Sequence, residues 1–374
     1  MAMTRRELLA LGAAAPLVRA AAPPAPPVAI ARCQTYSNEE LVSTLSTMFD
    51  QLGGLPRLVR NKTVTIKLNL TGSPGLKFQG KALGLTHYSH PNMVGAFAHL
   101  LNTAGAKRIR FVESAWATSG PLEEYMLDAG WNVRRLSALA PNIEFENTNA
   151  LGKRKKYSVL KTAGGGYIYP AIHFNQAYED TDVFVSMAKL KNHATCGVTL
   201  AMKNCFGNTP ASIYGDDAGE HEPNENPGAG RVNCCHLGKR QPAKVAPSEL
   251  DATSPRVPGY RMPRVTVDVF SARPIDIALI DGIETIAAGE GPWIKGIRTL
   301  SPHLLIAGTN AVTTDTVATA AMGYDPRAPR GSAPFADCDN TLLLAEARGL
   351  GSADLKRIEV VGLPLREAIY KFSI

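Results

Sequence analysis

Several chemical signatures are missing from the sequence. No Cys-x-x-Cys pair occurs, which removes zinc ribbons and cysteine-ligated iron–sulfur clusters, since both need closely spaced thiolates. There is no Gly-x-x-x-x-Gly-Lys-Ser/Thr loop, no Gly-x-Gly-x-x-Gly fingerprint and no Gly-x-Ser-x-Gly elbow. A P-loop, a Rossmann dinucleotide site and an α/β-hydrolase nucleophile are therefore all unwritten here. Nothing repeats at a period of about 20 to 50 residues, which sets solenoids and propellers aside. No apolar stretch reaches the roughly 20 residues that a bilayer-spanning helix requires.

What is present is an ordinary globular composition. The 374 residues are 45% hydrophobic and 20% charged, near the soluble average, so the chain can bury a full core and is neither disordered nor fibrous in type. Gly (33) and Pro (26) are common and foretell many loops.

Part of the net charge of +7 sits at the N-terminus. In "TRRELLALGAAAPLVRAAAPPAPP", Arg5 and Arg6 precede a weakly apolar stretch from Leu8 to Val18, then small residues and a Pro-rich spacer. This is the anatomy of an export signal. Thr4-Arg5-Arg6-Glu7-Leu8-Leu9 resembles the twin-arginine signal, with Leu8 where Phe is usual, and cleavage is expected after Ala20. Losing residues 1–20 removes three arginines and one glutamate and leaves +5. The expectation is a periplasmic protein with the twin-arginine export machinery as a partner, no stable membrane anchor in its mature form, and no nucleic acid to bind. The run Lys153-Arg154-Lys155-Lys156 has only Tyr157 beside it and reads as a solvated hairpin or loop rather than a phosphate-backbone contact. The six cysteines, Cys33, Cys196, Cys205, Cys234, Cys235 and Cys338, are expected to form at most one or two disulfides, because twin-arginine substrates fold in a reducing cytosol before export.

Residues 21–60 read as a Pro-rich spacer and lead-in. From there to residue 374 strand and helix patterns alternate. "KTVTIKL" is β-branched and alternating, "KRIRFVE" is a second strand, and "WNVRRL" reads as the start of another. "HPNMVGAFAHLLNTAG" has Pro91 suited to a first helical position and Gly105 as a stop, and "PLEEYMLDAG" is a short helix closed by Gly130. "DVFVSM", "IDIALID", "HLLIAG" and "RIEVVG" are buried-strand runs, with a helix capped by Asn310 between the last two. "HATCGVTLAMKNCFG" reads as helical toward Gly207. This alternation predicts one α/β domain over 61–374 with a mixed or mostly parallel sheet and flanking helices. Residues 208–263, dense in Gly, Pro, Asn and charge, stand apart as one long irregular insertion, read either as a lid or as an exposed insertion.

The chemistry gathers around "KLKNHATCGVTLAMKN", residues 189–204. On a strand, Lys189, Lys191 and His193 project to one face. Two ammonium groups and an imidazole so placed repel one another unless an anion lies between them. The C-terminal edge of a parallel sheet is where α/β proteins bind ligands, and a helix beginning near Ala194 would aim free N–H groups at the same place.

"VSMAKLKNHATCGVTLAMKNCFG" resembles the central signature of domain-of-unknown-function family 362: an apolar strand, K-x-K-x-H, then V-T-x-A-x-K-N-x-x-G. Four further segments are similar to that family in the same order: "VTIKLNL" with Leu68 in place of the usual Pro, "SHPNMVGAFAHLLNTAGAKRIRFVES", "LIDGIETIAAGEGPWIKG" and "GTNAVTTDTVATAAMGYDP". Some relatives carry an appended ferredoxin-type cluster domain, but this chain lacks its Cys pattern. The family implies no agreed activity.

The motif residues can be given physical roles. His193, Lys191 and Lys203 are the candidate catalytic groups, His193 as acid/base and a lysine of depressed pKa as base or Schiff-base nucleophile. Lys67, Asn69, Lys189, Asn204, Asp281, Gly291 and Asp315 are the candidate ligand-binding residues, Gly291 lying in the Gly289–Pro292 turn where backbone could approach a ligand. Asp281, Asp315 and His193 stand open as ligands for a divalent metal, without a spacing signal. The acidic stretch Asp216, Asp217, Glu220, His221, Glu222 with Cys234, Cys235 and His236 matches no metal template and reads as a solvated loop. The expected function is an exported protein that binds a small anionic molecule, a carboxylate or phosphate, at a Lys/His-rich sheet edge, as an enzyme of unspecified reaction. The alternatives are a periplasmic binding or accessory protein without chemistry, and a metal- or cofactor-dependent redox protein.

Overall fold

The computed structural model describes residues 25–116 and 118–373. The expected export signal and its expected cleavage point lie outside the described residues. Eight strands form the central sheet: β1 (Ala25–Arg32), β2 (Thr63–Lys67), β3 (Arg108–Glu113), β4 (Ile143–Asn147), β5 (Val183–Lys189), β6 (Ile277–Gly282), β7 (Leu304–Gly308) and β8 (Ile358–Gly362). Their order across the sheet is β8-β1-β7-β6-β5-β2-β3-β4. All run parallel except β7, which is antiparallel to both β1 and β6.

The central strands are apolar on both faces because both faces are covered. Alternation along β5 splits its residues between two cores. Val183, Val185 and Met187 join Ile66 of β2, Leu279 of β6 and the buried faces of α1 (Asn38–Gln51) and α2 (Pro91–Thr103). Phe184 and Ala188 face the opposite side with Ala278 and Ile280, against α3 (Leu200–Asn204), α4 (Pro258–Ala272) and α5 (Ala311–Ala321). The result is a three-layer α/β fold, mostly parallel in its sheet. Among the described residues no helix is long and apolar enough to cross a membrane.

Four local expectations change. Residues 21–60 are more than a spacer, because Ala25–Arg32 is a strand of the main sheet, and helices at 38–51 and 55–59 follow it. "WNVRRL" is not a strand: Asn132 accepts a hydrogen bond from the Arg135 amide and caps a short helix, Val133–Ser137, and the strand comes later as β4. "HATCGVTLAMKNCFG" is helical only from Leu200, with Asn192–His193 and Gly197–Val198 forming a two-stranded ribbon before it. Residues 208–263 contain a short helix at Ala211–Tyr214, a wide turn at Val232–His236 and the start of α4. They bury Tyr214, Cys234, Cys235 and Arg261, so the segment is built into the domain. All six cysteines are buried with free thiols.

The basic run is held by carboxylates: Lys153 pairs with Glu123, Arg154 with Glu144 and Glu146, and Lys156 with Glu179.

Candidate functional site

Because the parallel strands end at one edge, their last residues emerge together. Lys67 of β2 is in register with Val112 of β3 and Ser186 of β5, and Asp281 of β6 with Lys189 of β5. This edge opens into a cavity of about 520 Å³, within the range of small-molecule sites.

The cavity takes five of the ten candidate residues: Lys67, Asn69, His193, Lys203 and Asn204. Lys67 forms a buried ion pair with Glu113 at 2.6 Å, and its ammonium also donates to Leu68 O and Asn204 Oδ1. Burial pulls the Lys67 ammonium down and pushes the Glu113 carboxyl up, and each charge resists the shift of the other. Gly207 lies against this pair, where a Cβ would have to displace the ends of both the Glu113 and Lys67 side chains. Asn69 donates to Asn204 Oδ1 at 2.9 Å while its own Oδ1, buried, has no partner among the described residues.

Unlike Lys67, Lys189 and Lys191, Lys203 has neither an ion-pair nor a hydrogen-bond partner for its ammonium among the described residues. No carboxylate oxygen lies within 4.0 Å of its ammonium among the described residues, and the ammonium sits 4.3 Å from the centre of the Phe206 ring. Burial holds its pKa below the ordinary lysine value. His193 is almost fully buried beside it. Burial first, then the Lys203 charge, pushes the imidazole well below its usual range and keeps it neutral. The Thr195 amide donates to His193 Nδ1 at 3.1 Å, which makes Nδ1 the acceptor and leaves the proton on Nε2. Glu290 Oε2 is 3.9 Å from Nδ1. Burial pushes the Glu290 carboxyl up, but hydrogen bonds from the Ala194 amide and the Trp293 indole N–H oppose it and favour the carboxylate.

The other five candidates lie outside the cavity lining. β5 ends at Lys189, so Lys189, Lys191 and His193 do not share a strand face. Lys189 forms a buried ion pair with Asp281 at 2.9 Å and donates to Tyr36 Oη and to the carbonyls of Gly84 and Glu284, which uses up its charge and donors internally. Lys191 donates to His87 O at 2.7 Å and Glu290 O at 3.0 Å. Asp315 accepts from the Ala201 and Met202 amides at 2.9 and 2.8 Å. The helix N-terminus expected to face an anion is therefore already occupied by a carboxylate of the protein. Gly291 seats the Trp293 ring, which lies where its Cβ would be. Among the described residues no three His, Cys, Asp or Glu side chains gather as a metal site; Asp281, Asp315 and His193 each answer to a different partner.

Several cavity residues are not among the expected site residues, and His236 reads from the sequence as part of a solvated loop. Glu113, Arg231, His236, Glu290, Trp116 and Trp293 all line the cavity. Arg231, from the irregular segment, is buried, donates to Ser114 O, Thr209 O and Asn149 Oδ1, and lies over the Phe206 ring at 5.3 Å. Burial holds His236 at about 3, and its Nδ1 has no partner among the described residues. Glu113 closes "RIRFVE" and Glu290 lies within "GEGP". The place of Glu113 at a strand end was the available signal; Glu290 lies in a turn and offered none.

The path into the helix is strained. Leu200 has φ +47°, a left-handed conformation that costs a branched side chain on the order of 1 kcal/mol. Burial of Leu200 and the Asp315 cap on the next two amides hold it in place.

The family described as domain of unknown function (DUF362) matches residues 64–320. The thylakoid-associated protein sll1697 of Synechocystis sp. is 28% identical over 193 residues, 50% of this chain and 51% of that protein; the chain spans about half the length of this curated relative. A crystal structure of a protein from Thermotoga maritima is similar with 15% identity and a TM-score of 0.36, over 72% of this chain and 55% of that one.

Proposed function

Because the chain belongs to the DUF362 family, whose name carries no activity, we propose a function from the cavity itself: it binds a small organic or inorganic anion, and His193 exchanges a proton with it. The observation that supports this is Lys203, a buried ammonium facing the cavity with no carboxylate partner among the described residues. An unpaired buried charge is costly, and a bound anion would relieve that cost. Neutral His193, with its proton on Nε2, serves as a general acid or hydrogen-bond donor to the ligand, and Asn69 Oδ1 accepts from a hydroxyl or amine on it. Lys189 and Asp281 are scaffold in this reading.

Calorimetric titration of the full chain with acetate and with inorganic phosphate tests it. Binding of at least one anion is expected, lost in Lys203→Met and kept in Lys81→Met, with circular dichroism unchanged. Absence of binding to either, or equal binding by Lys203→Met, would overturn the assignment. Once a reaction is found, full activity of His193→Gln would make the protein a binder without chemistry.

The N-terminal residues support an exported protein that acts in the periplasm. Residues 1–30 fused to a reporter should direct export, and replacing Arg5 and Arg6 by Lys should keep the reporter in the cytosol.

A further inference from the structure

The rim of the cavity is apolar where its floor is charged. Four of the large hydrophobic side chains left exposed among the described residues line this one cavity: Leu76 (43%), Trp116 (44%), Val232 (40%) and Trp293 (45%). Single exposed apolar residues are ordinary and need no explanation, but convergence from four separate stretches of chain does. Leu76 follows β2, Trp116 follows β3, Val232 belongs to the irregular segment and Trp293 to the turn after β6.

Both indoles are seated on glycine. The benzo edge of Trp116 lies against Gly230, and that of Trp293 lies between Gly72 and Gly291, positions at which a Cβ would collide with the ring. Trp293 is also anchored through its Nε1–H, which donates to Glu290 Oε1 at 3.0 Å. Rings fixed in this way offer broad apolar contact with little further ordering on binding.

The floor limits the charge of the ligand. Lys67, Lys203 and Arg231 line the cavity against Glu113 and Glu290, and both histidines are held neutral by burial. Lys67 is matched by Glu113, and the Arg231 donors are engaged by carbonyls. Three cations against two carboxylates leave one net positive charge, and Lys203 is the one without an ion-pair or hydrogen-bond partner among the described residues. A monoanion fits this balance, whereas a dianionic phosphate does not.

We infer that the ligand is an amphiphilic carboxylate: a flat, apolar, one- or two-ring body packed at the Trp116–Trp293 rim, with its carboxylate on Lys203. This rests on the anion-binding reading above and adds the chemical class. A small inorganic or acetate-like anion would fill the floor and leave four apolar side chains wet.

The experiment uses the full chain, with calorimetry and tryptophan fluorescence; two of the three tryptophans sit on the rim. The probes are 2-naphthoate, 2-naphthylmethanol, acetate and inorganic phosphate. 2-Naphthoate should bind at least tenfold more tightly than each of the other three. Trp116→Ala and Trp293→Ala should each weaken naphthoate about five- to thirtyfold and leave acetate unchanged, with Trp116→Leu and Trp293→Leu as milder replacements should an alanine variant fail to fold. Naphthoate no tighter than acetate, or native naphthoate affinity in both tryptophan variants, would overturn this inference while leaving anion binding intact. Failure of every anion to bind would overturn both. A fluorescence change that saturates on phosphatidylglycerol vesicles, with no response to naphthoate, would assign the rim to a membrane surface and overturn the ligand class.

Discussion

The three lysines of "KLKNHATCGVTLAMK" show how far apart the fates of similar residues can be. Lys189 spends its charge on Asp281, Lys191 donates to two carbonyls, and Lys203 is left facing the cavity. Sequence spacing put Lys189 and Lys191 at a strand end and Lys203 on the segment after it, but could not tell their roles apart, because the partners of Lys189 and Lys191 lie about 90 to 100 residues away in the chain. Lys191 has a consequence for pH. Burial, opposed only in part by Glu290, takes its ammonium from 10.5 down to about 7. Between those values the unfolded chain holds a proton that the folded chain has released, so the folded state gains stability as pH rises. From pH 7 to 8.5, below the range where exposed thiols titrate strongly, native stability should climb by roughly 1–2 kcal/mol from this group. Urea unfolding midpoints at the two pH values should show a smaller climb in Lys191→Met than in the native protein; equal climbs would mean Lys191 is not depressed.

At the scale of elements, α3 carries Lys203 and Asn204 into the cavity but is held from the other side of the layer, by Asp315 of α5. Asp315→Ala should leave two buried amides without an acceptor and cost about 1–3 kcal/mol. It should also weaken anion binding although Asp315 does not line the cavity, because the Leu200 strain loses its restraint. Thermal unfolding and calorimetry on the same variant check both halves, and Asp315→Asn should recover part of the stability through its one remaining acceptor. The sheet strands were legible in the sequence, since β5 and β6 are continuous apolar runs buried on both faces. β1 was hidden within a Pro-rich lead-in, and "WNVRRL" had strand-like residues overruled by the Asn132 cap. The ribbon at His193 was illegible because its register depends on Thr199 bonding to Lys191 O and Asn192 O, contacts with no periodic signature.

For the molecule as a whole, the irregular segment 208–263 matters most. Its composition resembles an exposed loop, but it contributes Arg231, Val232 and His236 to the cavity wall and buries Arg261, which pairs with Glu249 at 2.8 Å. Replacing residues 216–257 by a short flexible linker should therefore remove cooperative unfolding rather than uncover an otherwise intact site, as followed by circular dichroism on heating. Glu249→Ala alone should destabilise by about 3–5 kcal/mol, because it leaves the fully buried Arg261 guanidinium without its counter-charge. A lid that merely covered the cavity would come away with neither effect.

The cavity wall is drawn from positions as distant as Lys67 and Ile294, so no fragment of the chain holds a working version of it, and the unfolded chain has none at all. Whatever fills the site must then act as a clamp on the entire molecule: at about one hundred times its dissociation constant it adds roughly 2.7 kcal/mol to global stability. The melting temperature thereby reports occupancy directly, and a panel of candidate acids can be ranked by it without reference to any reaction.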